Sequence, residues 1–216
     1  MSSGLAAYLG FLSRNSDQIL LLAGQHAVLS AAGVVLGALT AVPLGVLVSR
    51  NARLSALVVD AAGMLYTIPS LALLGILVHY LGFGWKPVIV ALVAYSWLPV
   101  LRNTCAGLTN VEGKVIEAAR DMGATGWQIL LKVELPLALP VIMSGVRTVA
   151  VLTVGITTMA ALVGAGGLGV LIFQGITMMD NATTLAGTIP VALMAVALDQ
   201  GVGLVERRLR LRLTGQ

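Results

Sequence analysis

Long uncharged stretches dominate this 216-residue chain and limit its possible folds more than any other feature. The clearest stretch, 27–48, has 22 residues without a charge, which is enough for an α-helix to cross a bilayer. Charged residues make up only 10% of the chain, against about 25% in soluble domains. Because so little charge cannot cover a water-exposed surface, we predict an all-α integral membrane protein.

The uncharged or nearly uncharged stretches predict five transmembrane spans, at 27–48, 61–81, 88–108, 141–163 and 185–205. Residues 1–25 are too mixed to cross a bilayer and predict a short interfacial segment. Prolines interrupt the second and third spans, at Pro69 and Pro99. The first span carries small residues about every four positions, which lets helices approach closely in lipid: Ala31, Ala32, Gly33, Gly37, Ala41 and Gly45. We expect one transmembrane domain over 1–216.

The distribution of basic residues predicts the orientation of these spans. With five spans, eleven of the 13 lysines and arginines fall on one side, and only Arg14 and Lys86 fall on the other. The eleven include Arg147, near the start of the fourth predicted span. Since basic residues concentrate on the cytoplasmic side, the amino terminus is expected outside and the carboxyl terminus in the cytoplasm.

One polar stretch, 111–140, stands between the apolar blocks and contains seven of the chain's 22 charged residues (13 basic and 9 acidic). Ionised groups are costly in hydrocarbon, so this stretch is expected at the membrane surface. Its residues predict a helix over 117–122, a glycine stop at Gly123, a second helix capped by Thr125, and an end at Pro136. We refer to residues 111–136 as the 111–136 loop. On the residues alone, a folded docking loop and an amphipathic loop lying on lipid headgroups fit equally well.

The 111–136 loop also carries a spaced motif, made of Glu117, Ala118, Ala119, Gly123, Val133, Leu135 and Pro136. It resembles the EAA loop of binding-protein-dependent ABC import permeases: EAA, three residues, Gly, nine residues, Ile-x-Leu-Pro. All spacings agree, and Val133 in place of isoleucine is the one departure. The resemblance implies a coupling helix that docks on a cytoplasmic ATPase subunit.

Other segments extend the resemblance to a methionine-importer-type transmembrane domain of the osmoprotectant branch, which includes permeases for glycine betaine, carnitine and choline. These segments are 68–74, 98–104, 133–140 and 164–169. The family implies four partners in a bacterial cytoplasmic membrane: an ABC ATPase dimer, a second permease copy or paralogue, an extracytoplasmic substrate-binding protein and the lipid bilayer. ATP and Mg would then be bound by the ATPase subunit.

The chain itself has no residue set typical of catalysis, metal binding or nucleic-acid binding, so we expect a non-catalytic subunit without a cofactor of its own. Gly113 and Lys114 resemble the end of a phosphate-binding loop, but Val115 follows where serine or threonine is needed. Three alternatives stay open: an importer for another small solute such as an amino acid, a stand-alone secondary carrier, and a non-transporting scaffold or sensor.

Six residues are candidates for lining a translocation path: Tyr66, Pro69, Tyr95, Trp97, Pro99 and Met159. Prolines that break membrane helices free carbonyl groups and create cavities, and aromatic rings attract methylammonium groups. Plain helix packing explains each single residue as well. Asp199 is a further candidate because carboxylates are rare inside spans, although pairing with Arg207 or another cation is the simpler expectation.

Overall fold

The structure, a computed structural model, describes residues 8 and 10–214 of the chain. Every regular element in this part is helical, as the composition predicts. The α-helices are α1 (Ser16–Ser49), α2 (Ala52–Thr67), α3 (Ser70–Leu81), α4 (Trp85–Thr109), α5 (Gly113–Asp121), α6 (Gly126–Ile129), α7 (Leu135–Thr157), α8 (Gly169–Thr177) and α9 (Asn181–Thr214). A π-helical segment, Leu130–Glu134, joins α6 to α7, and a 3₁₀ segment, Thr158–Val163, follows α7.

Four helical stretches in the described residues are long and apolar enough to cross a membrane: Ser16–Ser49, Trp85–Thr109, Gly126–Val163 and Asn181–Leu211. Helices α2 and α3 add a fifth candidate, bent by 93° at a short break. The prediction of an all-α protein with about five transmembrane helices is therefore confirmed.

The first long helix begins earlier than the sequence suggested. α1 starts at Ser16, so residues 16–25 belong to it and do not form part of a separate interfacial segment. The chain bends at Asn15, directly before α1, and the Asn15 side chain donates to the Phe11 carbonyl at 3.0 Å. Asp17 lies in the first turn of α1, where a negative charge stabilises a helix. Residues 1–7 and 9, on which part of the interfacial prediction rests, lie outside the described residues.

The centre of the fold is a close crossing of α1 and α4, and glycines on α1 make it possible. Gly33, Gly37 and Gly45 are buried together with Ala41, one helical turn apart. A Cβ at Gly37 would lie 2.4 Å from the Cβ of Ser96 on α4. The predicted role of the small residues at 33, 37, 41 and 45 is therefore confirmed, whereas Ala31 is exposed.

Helices α2 and α3 correspond to the second predicted span, 61–81, which was expected to be interrupted at Pro69. The chain turns by 93° between them, and α2 starts at Ala52, where the Asn51 side chain accepts from two backbone N–H groups. The break follows from Pro69, because a residue before proline avoids the helical region and Ile68 is extended at φ −65° and ψ 127°. The Tyr95 hydroxyl donates to the freed Ile68 carbonyl.

In the carboxyl-terminal part, the short helix α8 lies within the connection between residues 164 and 184. After it, α9 runs unbroken over Asn181–Thr214, so the helix continues past the end of the last predicted span at residue 205. Asp180 precedes α9 and accepts from the Ala182 N–H at 3.0 Å and the Thr183 hydroxyl at 2.5 Å. These hydrogen bonds, that from Thr183 foremost, lower the pKa of Asp180.

Candidate coupling segment and membrane path

The turn at Gly123 in the 111–136 loop has the geometry of a Schellman motif. α5 ends at Asp121, and Gly123 adopts a left-handed φ of +83°. The Gly123 N–H donates to the Arg120 carbonyl at 2.9 Å, and the Ala124 N–H donates to the Ala119 carbonyl at 3.1 Å. These two bonds close the end of α5 and give the chain a defined change of direction.

Directly after this turn, Thr125 starts the next helix with a capping box. The Gln128 backbone N–H donates to the Thr125 hydroxyl at 3.4 Å, and the Thr125 N–H donates to the Gln128 side-chain oxygen at 2.8 Å. The reciprocal bonds satisfy two backbone donors that a helix start otherwise leaves open. The predicted cap at Thr125 is therefore present, and the loop is an ordered helix–turn–helix.

The second helix does not end at Pro136, contrary to the prediction. It passes through the π-helical segment into α7, so that residues 126–163 form one helical stretch. In an α-helix, Pro136 would leave the carbonyl of residue 132 without its donor. The π-helical turn changes the pairing, because the Leu135 N–H donates to the Leu130 carbonyl five residues earlier. The loop is thus continuous with a membrane-length helix.

The motif residues of the loop divide between a buried and an exposed side. Ala119 is 5% exposed, whereas Glu117 and Ala118 are exposed at the surface. A groove of about 390 Å³ runs between the end of α5 and the following helix and is lined by Ala119, Met122, Gly123, Ala124, Gln128, Lys132 and Val133. Apolar side chains are exposed on the same loop, with Met122 at 83% and Trp127 at 69%. The loop therefore combines a rigid backbone with an apolar and charged surface, as expected of a docking element.

An ion pair attaches the base of the loop to the end of α1. Glu134, which is 9% exposed, accepts from Arg50 at 2.8 Å. The two residues are 84 positions apart in sequence, and pairing them was not predicted. The available indication was that both lie at the same predicted membrane surface, one acidic and one basic.

Four of the six candidate path residues gather at the α2–α3 break. The rings of Tyr66 and Tyr95 meet edge to face with centroids 5.7 Å apart, and Met159 packs in the same cluster. The Ser70 hydroxyl contacts the Met159 sulfur at 3.4 Å, next to Pro69. The break thus brings two aromatic rings and a thioether together.

The other two path candidates lie elsewhere, on the packed side of α4. The Trp97 indole donates to the Thr40 hydroxyl of α1 at 3.0 Å. The Pro99 carbonyl accepts from the Asn103 side chain at 2.8 Å, opposite Gly145 of α7. The surroundings of Trp97 and Pro99 therefore agree with helix packing, the alternative that the sequence left open.

Comparison with known proteins identifies the family of this chain. Residues 33–211 match the family described as binding-protein-dependent transport system inner membrane component. The chain belongs to this family. The permease is thus a multi-pass inner-membrane component of a transport system, and the family resemblance of the 111–136 loop agrees with this assignment.

The permease has close curated relatives over most of its length. It is 44% identical over 187 residues to the carnitine transport permease protein OpuCD of Listeria monocytogenes, covering 86% of this chain and 83% of that protein. It is 43% identical over 200 residues to the glycine betaine/carnitine/choline transport system permease protein OpuCD of Bacillus subtilis, covering 92% and 87%. Among solved structures, one of the inward-facing conformations of the MetNI methionine ABC transporter superposes with a TM-score of 0.78 at 26% identity, covering 88% of this chain and 95% of that one.

One further charged pair of the permease lies inside the predicted spans. Arg147 lies near the middle of α7, not near its start, and donates to both carboxylate oxygens of Asp199 on α9 at 2.7 Å each. Asp199 therefore pairs with another cation, as one of the two expectations had it, and not with Arg207. Such a bidentate pair lets both charges remain between helices, because each neutralises the other.

Proposed function

We propose that this permease is the transmembrane subunit of an ATP-driven importer for a small osmoprotectant such as glycine betaine, choline or carnitine. The observation that carries the proposal is the 111–136 loop, an ordered and exposed helix–turn–helix continuous with a membrane-length helix. The substrate class comes from the names of relatives at 43–44% identity.

The partners proposed for this function are a cytoplasmic ABC ATPase dimer, a second permease copy or paralogue, and an extracytoplasmic binding protein. ATP and Mg would bind to the ATPase. The amino terminus of the permease would lie outside and the loop in the cytoplasm. Closure of the ATPase dimer on ATP would move the docked loop as a lever. Because the π-helical segment continues the loop into α7, that movement would be passed directly to a membrane-spanning helix.

The proposed docking residues of the loop are those of the family motif, Glu117, Ala118, Ala119, Gly123, Val133, Leu135 and Pro136. Three of these, Ala119, Gly123 and Val133, line the groove of about 390 Å³, which has room for side chains of a partner. The exposed Met122 lies beside them and supplies apolar surface that a docked partner would bury.

The proposed translocation path runs past the α2–α3 break, where Tyr66, Pro69, Tyr95 and Met159 gather. Aromatic faces attract a quaternary ammonium group, and weak contacts suffice when a separate binding protein captures the solute. Trp97 and Pro99, the two other candidates, would form the packed wall behind this region. Replacing Tyr66 with leucine is expected to raise the KM for choline severalfold, whereas Val59→Leu on the same helix should not change it.

The experiment that tests the proposal begins with a carboxyl-terminal tag on the permease in its native membrane. Gentle extraction should bring down an ATPase, and the reconstituted complex should accumulate labelled glycine betaine, choline or carnitine only with ATP and Mg. Solute movement by the chain alone, without ATP, would establish the carrier alternative instead. Because the fold also matches a methionine transporter, labelled methionine belongs in the same assay, and ATP-driven methionine uptake in its place would contradict the osmoprotectant assignment.

A further inference from the structure

A small cavity of about 260 Å³ lies between α7 and α9, away from both the 111–136 loop and the proposed path. Four of its five lining residues are charged: Arg147, Glu206, Arg207 and Arg210, with Leu211 as the fifth. Gly203 makes room for it, because a Cβ there would lie 3.0 Å from the guanidinium carbon of Arg147. The cavity thus collects three arginines from two helices around one carboxylate.

The charges in and around this cavity do not cancel. Arg147 donates with Nε and one Nη to Asp199, so its remaining Nη faces Glu206 at 3.7 Å. Glu206 is also 3.5 Å from Arg210. Both distances to Glu206 exceed those of well-formed hydrogen bonds. Among the lining residues, three arginines therefore stand against one carboxylate, and Arg147 is held by Asp199.

Arg207 supplies the group best placed to take an external ligand. Its side chain is exposed and makes no hydrogen bond or ion pair with the residues that the structure describes. A guanidinium presents several N–H donors in one plane, which match the oxygens of a phosphate group. The cavity accordingly fits an anionic phosphate group more readily than a neutral ligand.

The position of the cavity along α9 indicates where that phosphate comes from. The apolar run of α9 ends at Val205, and Glu206 and then several arginines follow. Leu204, Val205 and Leu211 are 55%, 48% and 58% exposed, so apolar surface borders the cavity. A cavity lined with arginine at the boundary between apolar and basic surface is a geometry that binds the headgroups of anionic lipids.

We propose that this cavity binds the phosphate group of an anionic membrane phospholipid, with Arg207 and Arg210 as the binding residues. The acyl chains would lie along the exposed leucine and valine side chains of α9. Arg147 positions the site through its pair with Asp199.

The test uses the full chain in nanodiscs containing phosphatidylglycerol and phosphatidylcholine, with retained lipid counted by native mass spectrometry. We expect selective retention of phosphatidylglycerol, and a loss of about tenfold in Arg207→Gln, because a charge-assisted hydrogen bond from the guanidinium to the phosphate is lost. Arg208→Gln is the matched control: it removes the same charge one residue away but does not line the cavity, and should change retention less than twofold.

Three results would overturn the proposal. Equal losses in Arg207→Gln and Arg208→Gln would mean general attraction to surface charge. Unchanged retention in Arg207→Gln would mean that lipid binds elsewhere. Displacement of the lipid by millimolar inorganic phosphate would mean a site for a soluble anion. Should Arg207→Gln fail to fold, Arg210→Gln carries the same expectation against the same control.

Discussion

The α1–α4 crossing and the 111–136 loop both depend on glycine, but each uses a different property of that residue. At Gly37 the backbone is ordinary helix, and the space where a Cβ would stand is occupied by Ser96 of α4. At Gly123 there is open space within 4 Å, and the left-handed backbone at φ +83° is what requires glycine.

This difference separates two sources of stability in the permease. The crossing is held by packing between residues about 60 positions apart, such as Gly37 with Ser96, so it exists only once the helices have met. The loop is held by hydrogen bonds between near neighbours, as at Thr125 and Gln128. A region built from local bonds can move as one piece against its surroundings, which suits a lever.

The largest expected effect on stability comes from adding a side-chain atom at the close contact between α1 and α4. In Gly37→Ala, the new Cβ would lie 2.4 Å from the Ser96 Cβ, so the two helices must move apart. Overpacking of this kind costs about 1–3 kcal/mol, and we expect a lower midpoint of thermal unfolding in detergent. Gly24→Ala on the same helix is the control, because nothing lies within 4 Å of its Cβ. A midpoint equal to that of Gly24→Ala would contradict the close crossing.

The second prediction concerns a variant that strains the turn of the 111–136 loop. Gly123→Asp places a Cβ on a left-handed backbone, which costs about 1–2 kcal/mol locally and opens the turn between α5 and α6. We expect ATP-driven uptake to be lost while the protein still inserts into the membrane. Gly126→Asp adds the same charge three residues later without a positive φ and should keep uptake. Normal uptake by Gly123→Asp would exclude the lever role of the loop.

The difference between local and long-range contacts also explains which features could be predicted from the sequence. Gly123 and Thr125 were identified because their roles depend on neighbours within five residues. The face of α1 that packs against α4 was predicted because the four-residue spacing of its small residues is visible within a single helix. The continuation through Pro136 was missed, since proline ends most helices and only the π-helical pairing of Leu130 with Leu135 avoids that outcome.

Pairs between distant elements were the least predictable part. Asp199 was expected to pair with a cation. Arg147 is 52 residues away in sequence, and only the packing of α7 against α9 determines that it is the partner. The 93° turn at Pro69 likewise depends on where α3 packs, although the break itself follows from the proline.

A third prediction concerns the α2–α3 break, which combines both sources of stability. Tyr95→Phe keeps the ring beside Tyr66 but removes the hydroxyl that donates to the Ile68 carbonyl. Losing one hydrogen bond of this kind costs about 1 kcal/mol, and we expect a correspondingly lower unfolding midpoint. Tyr80→Phe is the control, because Tyr80 is 77% exposed. Equal midpoints for the two variants would show that the Ile68 carbonyl does not depend on Tyr95.

The smallest expected effect is at the pair that joins the two regions, Arg50 at the end of α1 and Glu134 at the base of the loop. Arg50 is 57% exposed on its side chain, so solvent screening limits the coupling to about 0.5–1 kcal/mol. We expect Arg50→Glu and Glu134→Arg each to lower uptake per ATP hydrolysed, and the exchanged double variant to recover most of it. Arg53→Glu, which changes the charge of an exposed residue three positions on, is the control and should behave as wild type. If the double variant were no better than the worse single one, the pair would not transmit the position of the loop to α1, and the loop would act through α7 alone.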